Sequence, residues 1–367
     1  MGLRYGIVGL PNVGKSTLFN ALTNGYQANV ANYPFCTIEP NIGVVAIPDD
    51  RLHKLSQIAN SKKTIPAQIE FVDIAGLVKC ANKGEGLGNK FLSHIREVDA
   101  IVYMLRCFED NDITHVEGRI DPLKDSEIIE TELILADIES LNKQLLNAEK
   151  KSRGDKAYIS QITLMERILK LLNSGKPARL FVNDNNEQEI KKLNLLTSKP
   201  FFYICNIDEG SVISGNQFTE MIESKATEQN SVSINISAKI EEEIANLNEE
   251  DEKKEFLQSL GLQESGLNKA IKAGYKILNL STYFTVGPKE THAWTFKNGM
   301  NAQQVAGIIH TDFEKGFICA ECISYDDYIK FNGEQGAKEA GKLRQEGRGY
   351  LVQDGDVILF RFNISNS

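Results

Sequence analysis

The octapeptide Gly9-Leu-Pro-Asn-Val-Gly14-Lys15-Ser16 restricts what this chain can fold into more than any other stretch. It fits the spacing GxxxxGK[ST], follows the apolar run RYGIVGL and precedes the helical pattern TLFNALTN. Strand, glycine-rich loop and helix in that order make a P-loop, which commits the segment to an α/β sheet. The glycines let backbone N–H groups wrap a phosphate, and the helix N-terminus adds the positive end of its dipole. Asn12, Val13, Gly14, Lys15, Ser16 and Thr17 are the expected nucleotide-binding residues here. Lys15 sets a cation against the β- and γ-phosphates and is the expected catalytic residue, while the Ser16 hydroxyl is the expected Mg²⁺ ligand.

Two further segments extend the phosphate and metal site. FVDIAGL (71–77) ends a strand at Asp73, three residues before Gly76. Asp73 is expected to hold Mg²⁺ through water, and the Gly76 amide to meet the γ-phosphate. PFCTIEP (34–40) supplies Thr37, expected to complete the Mg²⁺ shell when the γ-phosphate is present. Leu77 stands where a Ras-like enzyme has the glutamine that orients water, so either hydrolysis is slow or another group positions the water. Asn12 is one candidate, acting through a bound monovalent cation such as K⁺, with a turn-stabilising role as the alternative. His115, in the loop NDITHVEG, is a candidate for approaching the γ-phosphate, weighed against an ordinary loop histidine. His94 shares a helical face with Phe91, Ile95 and Val98 and reads as structural.

The stretch YICNIDEG (203–210) bears on the base. A guanine reader carries Asn, Lys, any residue, Asp, whereas this chain has Asn206, Ile207, Asp208 and Glu209. Guanine presents two donors that the Asp accepts together, and adenine presents a lone pair at N1 that a carboxylate in the same place repels. Glu209 is one methylene longer than Asp and cannot keep the bidentate geometry. Asn206 can still serve adenine through N6 and N7, and Ile207 is an apolar cover for either base. These residues argue that strict guanine reading is impaired.

Beyond the site, the first 125 residues alternate apolar strands with amphipathic helices, and FFYICN (201–206) and SVSINISA (231–238) resume the pattern. A P-loop domain is therefore expected over 1–125 and 200–280. Between its halves, Ile134, Ile138, Leu141 and Leu145 form a heptad-like stripe that Ile162, Met165, Leu169 and Leu172 repeat. That predicts a helical insertion over 126–199, either a self-stabilising pair or a partner-binding arm. From 281 to 364 the short strands YFTVG and HAWTF, a helix capped by Asn301, and the strand–turn–strand YLVQDGDVILFRF predict a small β-grasp domain. A length of 367 residues accommodates two or three domains.

Composition narrows the class. Six unevenly spaced cysteines suggest reduced thiols, and the Cys319–Cys322 pair has no second Cys or His pair nearby and reads as structural. No apolar run approaches the roughly 18 residues of a membrane span. MGLRYGIVGL has no signal-peptide layout, and Gly6 stands where N-myristoylation needs Ser or Thr. A cytoplasmic protein with no membrane partner is expected. The net charge of −9 excludes a general polycation but not a local basic face. Lys330, Lys338, Lys342, Arg344 and Arg348 make residues 330–350 either an RNA or ribosome contact or a solvated loop.

With the P-loop, PFCT, DIAGL, NIDE and Ser237-Ala238-Lys239 in order, the chain resembles the Obg-like ATPase (YchF-type) family of P-loop proteins. The resemblance runs from Gly2 to about Asn363 and includes GEGLGNKFLSHIRE and GYLVQDGDVILFRF. It implies an α/β P-loop NTPase sheet domain with a helical coiled-coil insertion and a C-terminal β-grasp (TGS) domain. It also implies ATP preferred over GTP and an apolar residue in place of the catalytic glutamine, while slow basal turnover is the expectation from Leu77. Ser237 and Ala238 are implied to help hold the base, with Asn206, Ile207 and Glu209. The implied partner is the ribosome, at its large subunit, or RNA, reached through the TGS domain and the helical arm. The Cys319–Cys322 pair is no part of that pattern. Two rivals remain at this stage: a GTP-dependent translational switch, and a non-catalytic scaffold that binds nucleotide for stability.

Overall fold

A computed structural model of the protein describes residues 3–30, 42–74, 87–110, 119–151, 156–183, 185–247 and 249–363. In chain order the strands are β1 (Leu3–Val8), β2 (Ile42–Ala46), β3 (Thr64–Ile65), β4 (Gln68–Asp73), β5 (Ala100–Arg106), β6 (Phe201–Asn206), β7 (Ser233–Ile236), β8 (Leu280–Val286), β9 (Thr291–Lys297), β10 (Phe317–Ser324), β11 (Arg344–Glu346) and β12 (Asp356–Phe362). The chain divides into two compact units, Met1–Val45 with Glu70–Gly274, and Ala46–Ile69 with Tyr275–Ser367.

The first unit is an α/β sheet of order β2-β4-β1-β5-β6-β7, in which β1, β5, β6 and β7 pair parallel. Every residue of β5 and β6 is buried. Continuous apolar strands of that kind require cover on both faces of a parallel sheet. β1 lies between β4 and β5, so the connections after it diverge to opposite sides. The crevice at the C-terminal end of such a strand is where open α/β sheets bind ligands. The P-loop follows β1 there.

The predicted stripes form one core. Helices Pro122–Lys151 and Lys156–Asn173 bury Ile134, Leu141, Met165 and Leu172, with Ile138, Leu145, Ile162 and Leu169 packed against them. The first helix starts at Pro122, a turn earlier than the predicted boundary, because proline suits the first helical turn. At the root of this pair the buried Asp137 accepts from the Leu196 and Thr197 amides at 2.7 and 2.8 Å and from the Thr197 hydroxyl at 2.7 Å. Glu130 pairs with Arg179, whose guanidinium lies 4.2 Å from the centre of the Phe201 ring at the start of β6.

The second unit carries a sheet of order β11-β10-β12-β8-β9-β3. The pairs β8–β9, β10–β12 and β10–β11 are antiparallel, and β12–β8 and β3–β9 are parallel. Asn301 caps helix Ala302–Ile309 in a reciprocal capping box with Gln304, as its sequence predicts. That helix packs Val305 and Ala306 onto Tyr283, Phe296, Phe317 and Phe360.

Two features of this unit differ from the sequence reading. Residues 46–69, placed there within the 1–125 segment, supply helix Asp50–Ala59 and β3 to the second unit. Leu52 and Leu55 bury the inner face of that helix, and Arg51 bonds Asp49 and Asp354 while stacking 5.2 Å from the centre of Phe284. Second, YLVQDGDVILFRF is not a hairpin. Asp356 accepts from the Gln353 amide and the Tyr350 hydroxyl within the turn, but Leu351 bridges Asn301 and Gly355 donates to Thr282, and β12 pairs with β10 and β8 instead of with Leu351.

Cys319 and Cys322 lie on β10 three residues apart, which directs them to opposite faces of the sheet. Among the described residues no helix is long and apolar enough to cross a membrane.

Candidate nucleotide site

The loop between β1 and helix Lys15–Val30 needs two residues of left-handed backbone, Asn12 at φ 62° and Gly14 at φ 92°. Asparagine tolerates that region better than most residues. Gly14 is held more strictly, because a Cβ there would overlap the Asn206 side chain. Val13 is buried, and Leu18 donates to the Gly14 carbonyl at 3.0 Å to open the helix. Asn12 and Ser16 are exposed, and Thr17 is half-buried.

The Lys15 ammonium hydrogen-bonds Asp73 at the end of β4, with both side chains largely buried. Two charged groups far apart in sequence thus meet beside the P-loop. β4 is held next to β1 there, since Ile74 donates to the Ile7 carbonyl at 3.2 Å. The expected phosphate cation and the expected metal carboxylate converge on one spot.

At the other end of the loop, Asn206 closes β6 and is 5% exposed. Its Nδ2 donates to the Val13 carbonyl at 2.9 Å, and its Oδ1 accepts from the Ala238 amide at 3.0 Å. One side chain therefore binds the P-loop, β6 and the start of helix Ala238–Asn246 together. Ser237 is the N-cap of that helix. The sequence reading assigned Asn206 to the base alone; in the structure both polar atoms of its amide are already engaged, which makes it first a tie between segments. Ile207 is 2% exposed, so its side chain is packed inside the protein rather than standing clear as a cover. Glu209 projects from the turn Glu209–Ser211, 48% exposed, and pairs with Lys239 at 2.5 Å.

Thr37, Gly76, Leu77 and His115 lie outside the described residues. His94 is exposed on helix Leu87–Glu97, not on the buried face that holds Ile95. Consecutive side chains on a helix stand about 100° apart, so His94 can face out while Ile95 faces in.

Three residues escaped the sequence reading. Met104 on β5 underlies the P-loop, and a Cβ on Gly9 would come within 2.7 Å of its carbonyl oxygen. Arg106, 1% exposed beside Asn206 in the sheet, donates to the Phe108 and Asp110 carbonyls at 3.3 and 3.0 Å. Glu241, 4% exposed, accepts from the Gly266 amide at 2.7 Å, and burial pushes its carboxyl up to about 7. A charged residue ending a hydrophobic strand signalled Arg106; no pattern signalled Glu241.

The chain is similar to known proteins along 99% of its length. The family model described as "50S ribosome-binding GTPase" matches residues 4–143, and that of the YchF-type C-terminal domain, described as "Protein of unknown function (DUF933)", matches residues 280–363. The chain is 54% identical to the "Ribosome-binding ATPase YchF" of Bacillus subtilis (strain 168), over 99% of this chain and 100% of that protein. It is 51% identical to the protein of that name from Escherichia coli O157:H7, over 99% and 100%. The solved structure of the Schizosaccharomyces pombe YchF GTPase superposes with a TM-score of 0.88 at 39% identity, covering 98% of each chain.

Proposed function

The chain belongs to the YchF family, and from that premise we propose that it is a ribosome-associated P-loop ATPase that hydrolyses ATP to ADP and phosphate, and GTP to GDP and phosphate less well. The observation that carries the hydrolase reading is the contact of Lys15 with Asp73 beside the P-loop. The contact supports a reading in which Lys15 meets the phosphates and Asp73 serves the metal beside the same γ-phosphate. The 13–17 backbone amides bind the phosphates, and Lys15 neutralises the charge that develops as the γ-phosphoryl leaves.

The donor set at this end suits Mg²⁺. Asp73 and the Ser16 hydroxyl are hard oxygen ligands, of the kind that a small divalent cation shares with water and phosphate. Ser16, Asp73 through water, and Thr37 would hold it, and when bound it would supply charge neutralisation to the phosphates. Asn12 is exposed on the loop, which suits a K⁺ ligand, and Gly76 and His115 are proposed at the γ-phosphate. Leu77 has no group to orient water, so unstimulated turnover is slow.

Adenine is favoured because Glu209 cannot reproduce the bidentate grip of an aspartate on guanine, while Asn206, Ile207, Ser237 and Ala238 form a base-proximal frame. A GTP reading has one observation behind it: the fission-yeast relative is called a GTPase. The curated relatives are called ribosome-binding. Their names support the reading that this chain docks on a ribosome; the large subunit, the helical pair and the C-terminal TGS-type unit as the contacts, and a cytoplasmic site of action, are part of the proposal.

Single-turnover hydrolysis of ATP and of GTP with Mg²⁺ and K⁺, with and without ribosomes, tests the whole reading. ATP is expected to be the better substrate, with ribosomes raising the rate. Faster turnover of GTP would make the chain a GTP switch. No turnover in any condition would leave a nucleotide-bound scaffold.

A further inference from the structure

Glu209 is where this chain departs from a guanine reader, and its carboxylate is engaged. Oε1 lies 2.5 Å from Nζ of Lys239. The partners come from different elements. Glu209 opens the turn that follows β6, and Lys239 is the second residue of helix Ala238–Asn246. Asn206 sets the spacing between those elements, because it ends β6 and accepts from Ala238, the neighbour of Lys239. The neighbouring Asp208, also exposed, bonds within its own turn, accepting from the Ser211 hydroxyl with its two oxygens at 3.1 and 2.9 Å. Of the two acids in this turn, only Glu209 meets the helix.

The pair is exposed, 71% at Lys239 and 48% at Glu209, so it contributes little to folding stability. Its chemistry matters at the base edge. A carboxylate left to itself offers acceptors to the N1–H and N2 amine of guanine and repels the N1 lone pair of adenine. An ammonium bonded to it occupies an acceptor and cancels the charge. Adenine then meets no net repulsion, and guanine finds one of the two acceptor oxygens already in use.

We propose that Lys239 is a base-specificity residue, which by holding Glu209 in an ion pair turns the site toward adenine and away from guanine. This rests on the adenine reading above. Lys239 positions and neutralises Glu209 without taking part in phosphate chemistry.

The test is a competition titration of the full chain with ADP and GDP against a fluorescent ADP analogue, in wild type, Lys239→Met, Lys239→Arg, Glu209→Gln and the Lys239→Met/Glu209→Gln pair. Lys239→Met keeps the apolar stem and removes the ammonium. The ratio Kd(GDP)/Kd(ADP) is expected to fall about fivefold, a modest change in keeping with an exposed pair. Lys239→Arg should restore the wild-type ratio. In the Glu209→Gln background Lys239→Met should leave the ratio unmoved, since no carboxylate remains to be released. An unchanged ratio in Lys239→Met overturns the proposal, and so does an equal loss of both affinities or a fall that persists without Glu209. If the wild type binds GDP as tightly as ADP, the adenine reading fails, whereas the ion-pair role is still decided by the shift from wild type to Lys239→Met.

Discussion

The proposed phosphate end of the site is built of backbone geometry and one largely buried ion pair, Lys15 with Asp73; the proposed base end is built of side chains, one buried amide and one exposed ion pair. The difference is in what each end recognises. A phosphate is a symmetric anion, and any ring of N–H groups with a cation serves it, so a loop of fixed φ values suffices. A base is an edge with a particular order of donors and acceptors, so its reader is set by individual side chains and their neighbours. Buried contacts at the first end resist change; the exposed pair at the second can be retuned without disturbing the fold.

The largest effect is expected from Lys15→Ala. Hydrolysis should fall at least about 100-fold, by the same factor for ATP and GTP, in single-turnover assays. A loss confined to one nucleotide would mean that the two ends do not work separately. Next is Asn206→Ala, which removes two buried hydrogen bonds at the junction of the ends. Affinity for both nucleotides should drop about thirtyfold, and Tm should fall by several degrees in a thermal melt. Glu209→Asp probes the base end alone. It should move the ATP-to-GTP affinity ratio toward GTP by about tenfold, some 1.4 kcal/mol, with hydrolysis rates from the bound state unchanged.

The smallest effect on nucleotide binding is expected at Glu241, less than about twofold, yet it has a clear pH signature in stability. Burial raises its carboxyl from the ordinary value of 4.5 to about 7 in the folded protein. The folded state therefore holds a proton that the unfolded chain has already released between those values. Its contribution favours folding most below pH 4.5 and declines as pH rises to about 7, after which it is level. Glu241→Gln should flatten that decline in melts between pH 5 and 8, raising Tm relative to wild type at the upper end.

How far the sequence could be read follows the same division. The P-loop, the strand ending at Asp73 and the heptad stripes are periodic or motif-bound, and each appears in the structure where its pattern put it. Asn206 was found as part of a motif, but its double bond to Val13 and Ala238 depends on three segments meeting, which no local pattern encodes. Lys239 was noticed as one letter of Ser-Ala-Lys, while its hold on Glu209 is a fact of tertiary placement. The hairpin expected at YLVQDGDVILFRF is absent because Leu351 bridges Asn301 and the Gly355 amide bonds Thr282, a competition that an Asp-Gly dipeptide does not reveal.

The passage of residues 46–69 into the second unit changes how the gene can be cut. A stop codon after Gly274 looks like a clean way to isolate the nucleotide-binding unit, but the product would still carry helix Asp50–Ala59. Leu52 and Leu55, 3% and 0% exposed in the whole chain, would be left with the strands they lie on, β8 and β9, deleted. Such a fragment is an aggregation hazard rather than a domain. The same interleaving bars simple recombination: neither unit can be exchanged for a homologous one as a single stretch of DNA, so the two are inherited, and have to be tested, together.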